Sequence, residues 1–294
     1  MSQSIAAVLL LHQWIERQAM PDALAWLDEG VISLSTEPLS NFTASFAKIA
    51  RRLGKAALDL TDEDTREAYE KCDGWQAEGL TIDQAGRILL IVEAASVQPA
   101  EIFQQRLKSL LTTADVGERI AIYRGLPLYP ASEAVVGIAL DGLRTSVEAI
   151  FESIAHRNCF PARHFPEPAW NQMVLKALFV GSRLDPIVGL DARWNSDLAR
   201  MLFDYAHERR AAGRLVSPEL WRGVGRFADE RGVADLEALL ASDDPTSQHA
   251  AALALAENAT DQSARVLMRH PDLAAATRAS EISWQTISQQ LSKF

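Results

Sequence analysis

The sequence predicts an all-α fold, built either as an irregular helical repeat of HEAT-like units or as a two-lobed α-α superhelical bundle. Three observations predict it. Apolar residues recur at helical spacing along nearly the whole chain, with no sustained alternation. Ala and Leu, both strong helix formers, are abundant. Gly and Pro cut the chain at short intervals, as at Pro21, Gly30, Gly54, Gly74, Pro99, Gly125 and Pro130.

The elements follow in order. The opening Ile5–Leu11 run is apolar, but no Lys or Arg precedes it and His12, Gln13 and Glu16 follow at once. It lacks the basic flank of a signal peptide and the ~20 apolar residues of a membrane span. It reads as a buried helix over Ser4–Ala19. Pro21–Leu34 and Ser40–Leu58 come next. Thr61 then offers its hydroxyl as a cap, with Asp62 and Glu63 at the positive end of the dipole, so Asp62–Cys72 is helical. Helices are expected at Ile82–Ala95, Ala100–Thr113, Val116–Tyr123, Ser132–Leu143 and Ser146–His156. A proline-bearing loop covers Asn158–Glu167, and Pro168–Val180 and Ser196–Ala212 follow. Ser217-Pro218-Glu219 is a cap before proline at a first helical position, which starts Pro218–Arg231. Ala234–Leu240, an acidic turn at Asp243-Asp244-Pro245, and Thr246–Asn258 form the clearest repeat-like pair. Asp261–Arg269 and Glu281–Ser292 close the list. Two regions are expected, a helical one at 1–157 and one at 158–294 that carries the polar, aromatic-rich stretch.

Composition narrows the partners. With 29 Lys and Arg against 39 Asp and Glu, the formal charge is −10. An acidic surface repels phosphate backbones, so nucleic acid is not expected. Two cysteines form no disulfide framework and read as reduced thiols in a cytoplasmic protein. No transmembrane segment is expected.

Chemistry-bearing residues concentrate in Ile154–Trp221. Trp170, Met173, Val174, Ala177 and Leu178 make one helical stripe, which Leu175, Phe179 and Val180 widen almost around the helix. Asn171 and Lys176 then lie on an otherwise buried helix, and a buried ammonium needs an acid or an exit to solvent. On the next helix Asp204 and His207 have the i, i+3 spacing of carboxylate di-metal bundles, but no second pair occurs. The plainer reading is a solvated ladder with Arg200 paired to Asp204. His156, Cys159 and His164, with His207 as a fourth, are the alternative metal ligands of a metal-dependent enzyme. Their spacing matches no standard finger, and a well-packed loop accounts for them equally. The phosphate-cradling glycine motifs, the Gly-x-Ser-x-Gly elbow and the His-Glu-x-x-His motif are all missing from the sequence.

Phe160-Pro161-Ala162-Arg163, Trp170 through Phe179, Leu198 through Leu202 and Asp204 through Arg209 resemble the EboA family of bacterial metabolite-traffic proteins. The distinctive strings cover about a fifth of the chain. The resemblance implies an all-helical protein encoded in a small gene cluster. Its neighbours there resemble a UbiA-class prenyltransferase, a TatD-like metal-dependent hydrolase and a sugar-isomerase-like barrel. It also implies a role in moving a secondary-metabolite precursor towards the periplasm. No catalytic residue and no cofactor carry over. The expectation is a non-enzymatic accessory protein whose partner is a hydrophobic or amphipathic metabolite, of prenyl type, or a protein of the same cluster. A helical-repeat scaffold that binds proteins alone is the other reading. The candidate binding residues are Arg163, Trp170, Asn171, Lys176, Phe179, Asp204, His207, Glu208 and Arg209, which should share one recess.

Overall fold

The computed structural model describes residues 3–34 and 39–291, of which 39–41 through their backbone alone. The chain is all-α, and among the described residues the sole extended pairing is an isolated antiparallel bridge between Ala57 and Thr81. It forms two compact units, Met1–Phe165 and Pro166–Phe294.

The first unit contains α1 (Gln3–Glu16), α2 (Pro21–Ser33), α3 (Leu39–Leu53), α4 (Asp62–Lys71), α5 (Ile82–Val97), α6 (Ala100–Thr113), α7 (Val116–Arg124), α8 (Glu133–Gly142), α9 (Glu148–Ala155) and the short α10 (Phe160–His164). Its centre is α5, where Ile82, Ala85, Ile88, Leu89, Leu90, Ile91 and Val92 are buried on every side. A helix that is apolar all round must be enclosed, and α1, α2, α3, α6 and α7 all pack on it. The apolar opening run does become a buried helix: Ala6, Ala7, Leu10, Leu11, Trp14 and Ile15 face the core. Trp14 stacks on Trp75 at 6.0 Å, and its indole N–H donates to Asp64 at 3.0 Å. Asp64 is also the third residue of the expected cap, in a reciprocal capping box with Thr61.

The second unit contains α11 (Glu167–Val180), α12 (Ser196–Ala211), α13 (Glu230–Leu240), α14 (Pro245–Glu257), α15 (Asp261–Met268), α16 (Pro271–Arg278) and α17 (Trp284–Gln290). Here α14 is central, with the unbroken run Ala250–Leu255 buried. Its small side chains let α13, α15, α16 and α17 pack around it.

Three expectations change. The helix expected over Ser40–Leu58 stops at Leu53, because Ala56 and Leu58 pair with Ile82 and Leu80 through backbone hydrogen bonds of 2.9 and 2.8 Å. The single helix expected over Pro218–Arg231 is two 3-10 turns, Pro218–Gly223 and Gly225–Phe227, followed by α13 from Glu230. Close packing is the reason. A Cβ at Gly225 would lie 2.4 Å from the Ala254 carbonyl oxygen, so the chain passes against the backbone of α14. The segment at 271–278 forms α16, which the pattern of small residues did not reveal. The end of the expected Glu281–Ser292 helix lies outside the described residues, and α17 covers Trp284–Gln290.

Candidate functional site

The site is built around the C-terminal end of α11. Trp170, Met173, Val174, Ala177 and Leu178 are buried, as their spacing requires. The helix is not enclosed all round, however: Gln172 and Phe179 are exposed, and Phe179 keeps 71% of its surface. Gly181 ends the helix in the left-handed region at φ 77°, and the Ser182 N–H returns to the Ala177 carbonyl at 2.8 Å. Such a Schellman-type end needs glycine or costs strain. The chain then enters the long 182–195 connection.

Polar side chains hold that connection, with Glu219 buried among them. Glu219 accepts from the backbone N–H groups of Leu184 and Asp185 at 2.9 and 3.2 Å and from the Ser288 hydroxyl at 2.7 Å. Arg183 donates to the same hydroxyl at 2.6 Å. Arg222 grips Asp191 through two nitrogens, at 2.8 and 2.5 Å. Burial would raise the Asp191 carboxyl, but the Arg222 guanidinium outweighs it and holds the group below the ordinary carboxylate range. Asn195 caps α12 by accepting from the Leu198 N–H at 2.9 Å, and exchanges amide hydrogen bonds of 3.1 and 2.9 Å with Asn171.

The first recess, of about 210 Å³, lies where these parts meet. Phe179, Gly181, Arg183, Tyr205, Arg209 and Leu215 line it, together with Glu219, whose carboxylate oxygens are already engaged by the backbone N–H groups and the Ser288 hydroxyl. Tyr205 is fixed by its hydroxyl, which donates to the Leu178 carbonyl at 3.3 Å. Arg209 lies over the Tyr205 ring at 5.9 Å and donates through Nε to the Leu215 carbonyl at 3.0 Å. Among the described residues no carboxylate pairs with the Arg209 guanidinium. Leu215 keeps 73% of its surface. The recess thus has an apolar rim and a cation whose ends are available to an anion.

A second recess of about 410 Å³ also uses α12, through Arg200, Asp204 and His207, together with Asp229 and Asp235. His207 Nε2 lies 2.8 Å from Asp235, and Arg210 meets the other oxygen of that carboxylate at 3.4 Å. Arg200 pairs with Asp197 at 3.5 Å in place of the expected Asp204. Asp204 and Glu208 are exposed.

The candidate residues therefore do not share one recess. Phe179 and Arg209 meet in the first, and Asp204 and His207 line the second. Asn171 acts through the α12 cap. Trp170 is fully buried beneath the Arg193 guanidinium, 4.6 Å from its ring, and its indole N–H finds no acceptor among the described residues. Lys176 is half-buried, and burial pushes its ammonium pKa down. Arg163 belongs to the first unit and forms a two-pronged pair with Asp73, at 2.6 and 3.1 Å. Around it the segment expected as a loop packs tightly and forms the short helix α10, because Pro161 sits in its first turn. The Cys159 thiol, its pKa raised by burial, faces the Asp73 carbonyl at 3.6 Å, and His164 packs against Phe160 with ring centroids 4.6 Å apart and planes tilted by 45°. Among the described residues, no group of three or more His, Cys, Asp or Glu is placed to hold a metal ion. Sequence reasoning passed over Glu219, Leu215 and Asp235. For Glu219 a signal existed: a carboxylate directly before the apolar pair Leu220-Trp221 must be buried with donors or pull the pair open.

Fold and site define an all-α protein that carries an arginine-bearing, apolar-rimmed recess on its second helical unit. The family model described as metabolite traffic protein EboA matches residues 7–225. The chain belongs to the EboA family. Neither the curated proteins nor the solved structures yielded a match. Among the described residues no helix is long and apolar enough to cross a membrane.

Proposed function

We propose that this chain is a non-enzymatic, cytoplasmic accessory protein of metabolite traffic that holds an amphipathic, anionic metabolite at the recess between α11 and α12. The observation that carries the reading is the pairing of Arg209, free of carboxylates among the described residues, with the exposed Phe179 and Leu215. An anionic head would bond to the guanidinium, which suits phosphate and carboxylate oxygens. The apolar body would lie against Phe179 and Leu215. The recess is smaller than the roughly 300–1,000 Å³ usual for an enclosing ligand pocket, so the ligand would be held at one end and not engulfed. That is the arrangement of a protein that passes a molecule on, and the recipient would be a protein of the same gene cluster. Lys176 lines neither recess and has no part in this reading.

The test is direct titration of the purified protein with short polyprenyl phosphates and with the matching alcohols. The phosphate is expected to bind at least about tenfold more tightly than the alcohol, the size of one charge-assisted contact. Arg209→Ala should remove that preference, and Phe179→Ala should weaken both ligands. Equal binding of phosphate by wild type and Arg209→Ala would end the assignment. Co-purification of neighbouring gene products lost with Phe179→Ala, while neither ligand binds, would give the surface to a pure interaction scaffold instead.

A further inference from the structure

The first unit carries a groove that the proposed function does not use. It is about 690 Å³ and is formed by α1, α2 and α5. Leu9, His12 and Glu16 lie along one face of α1 at helical spacing, with Val8 beside them. Asp28, Val31 and Ile32 do the same on α2, and Leu89 and Glu93 form the α5 side. His12 Nε2 meets Asp28 at 2.9 Å, and only residues 17–20 join α1 to α2, so the chain turns back and the two walls run in opposite directions. This register puts Leu9 opposite the C-terminal part of α2 with Ile32, and gathers His12, Glu16 and Asp28 further along. One end of the groove is apolar and the other acidic.

Two features mark it as a surface made to be covered. Leu9 keeps 55% of its surface and Ile32 76%, so large apolar side chains stand in water on facing helices. Glu93 rises half-buried between them, with no hydrogen-bond or ion partner among the described residues. Burial alone pushes its carboxyl pKa up. A desolvated carboxylate without a cation is costly, and a cation brought by another molecule would remove that cost.

We propose that the groove of α1, α2 and α5 docks a basic amphipathic helix of a partner protein. Its apolar stripe would lie on Val8, Leu9 and Ile32, and a Lys or Arg would reach Glu93 and the acidic end. Charge complementarity selects this occupant. Glu16, Asp28 and Glu93 line the groove, His12 is the only basic group among its described residues, and His12 is already engaged by Asp28. An anionic lipid surface or an acidic peptide would be repelled. Helix-in-groove recognition lays an apolar stripe of the bound helix into the groove, and Val8, Leu9, Val31 and Ile32 would receive that stripe at the apolar end.

The test uses a fluorescent synthetic helix of about 18 residues with a leucine stripe flanked by lysines, and a version with glutamates in place of the lysines. The lysine peptide should bind and the glutamate peptide should not. Leu9→Ser with Ile32→Ser should weaken binding about tenfold or more, and Glu93→Gln about fivefold. Both sites are at the surface, and circular dichroism confirms the fold of each variant. Glu67→Gln with Glu70→Gln, on the exposed face of α4, should leave affinity within about twofold. The proposal is overturned if the α4 variant weakens binding as much as Glu93→Gln, because the attraction is then only net charge. No response to the Leu9 and Ile32 changes overturns it too. Sedimentation that shows a dimer dissociated by Ile32→Ser would give the groove to a second copy of this chain and likewise overturn it.

Discussion

The two units place their buried polar groups differently. In the first, buried charge meets opposite charge. Arg87 on the central α5 pairs with Asp83 and lies 3.5 Å from Glu118, and Asp64 holds Arg17 at 2.8 Å. In the second, the buried polar groups that hold irregular segments meet backbone. Glu219 holds two amide N–H groups of the 182–195 connection. Asn258 donates to the carbonyls of Gly225 and Ala228 at 2.8 and 2.9 Å, which fixes the 3-10 turns. The difference follows from chain geometry. Helices satisfy their own amides, so a polar residue between helices needs another side chain as partner. Irregular segments leave buried N–H and C=O groups that some side chain must meet. The first unit uses the same device where its path is irregular: Asn158 donates to the carbonyls of Tyr123 and Ser153. The recess with Arg209 lies beside the irregular segments, because turns and connections leave concavities that close helix packing fills.

This contrast is broken most sharply at Glu219. Replacement by Ala strands two backbone donors and the Ser288 hydroxyl in the interior. It should cost about 3–5 kcal/mol in urea denaturation. Glu219→Gln keeps one acceptor oxygen and should recover roughly half of that loss. Equal loss in both variants would mean that the charge matters more than the backbone contacts, and the contrast between the units would fail.

Asp64 tests the other side. Asp64→Asn removes the charge that meets Arg17 but retains an acceptor for the Trp14 indole, and should cost about 2–3 kcal/mol at neutral pH. Burial works to raise the Asp64 carboxyl, but hydrogen bonds from Arg17 and Thr61 prevail and hold it at about 2, below its ordinary 3.8. A depressed carboxylate pKa stabilises the fold above the unfolded value and loses that contribution as pH falls through the folded value. The gap in Tm between wild type and Asp64→Asn should therefore be full above about pH 4 and close as pH approaches 2. A gap that stays constant over that window would show that the ion pair is not its source.

Gly225 sharpens the backbone half of the comparison. Gly225→Ala would place a methyl 2.4 Å from the Ala254 carbonyl oxygen and 2.7 Å from its Cα. Neither atom can rotate away, so the turn must shift, at a cost of about 1–3 kcal/mol in thermal denaturation. A neutral result would mean that the turns are not seated on α14.

How much was legible in the sequence follows the same division. The helices of the first unit were readable because period and caps agree, as at Thr61 with Asp64 and in the apolar run of α1. The aromatic and polar strings of α11 and α12 were readable as a family signature, of which only Phe179 and Arg209 among the candidate residues line the first recess. Their side-chain roles were not readable. Asn171 and Phe179 share a helix whose facing neighbours come from residues 24 and more positions away, and spacing along one helix does not say which neighbour covers which face. Phe179 was assigned to a buried stripe by position alone, yet Gly181 ends the helix just beyond it and leaves its ring in solvent. The 3-10 turns at 218–227 escaped because Gly223 and Gly225 mark close approach to side chains and backbone that a linear pattern does not contain.

The smallest stability effect and the largest functional one should coincide at Phe179 and Leu215. Both sit in the unit whose polar groups are committed to backbone, yet neither has much apolar area to return to water on truncation, since 71% and 73% of their surfaces are already exposed. Phe179→Ser and Leu215→Ser should each change stability by no more than about 0.5 kcal/mol. Calorimetry of the two variants against wild type, in parallel with the prenyl phosphate titration, separates the cases. Unchanged Tm with lost binding makes the rim a ligand surface. A Tm loss as large as that of Gly225→Ala would make the rim part of the packing that holds the irregular segments in place.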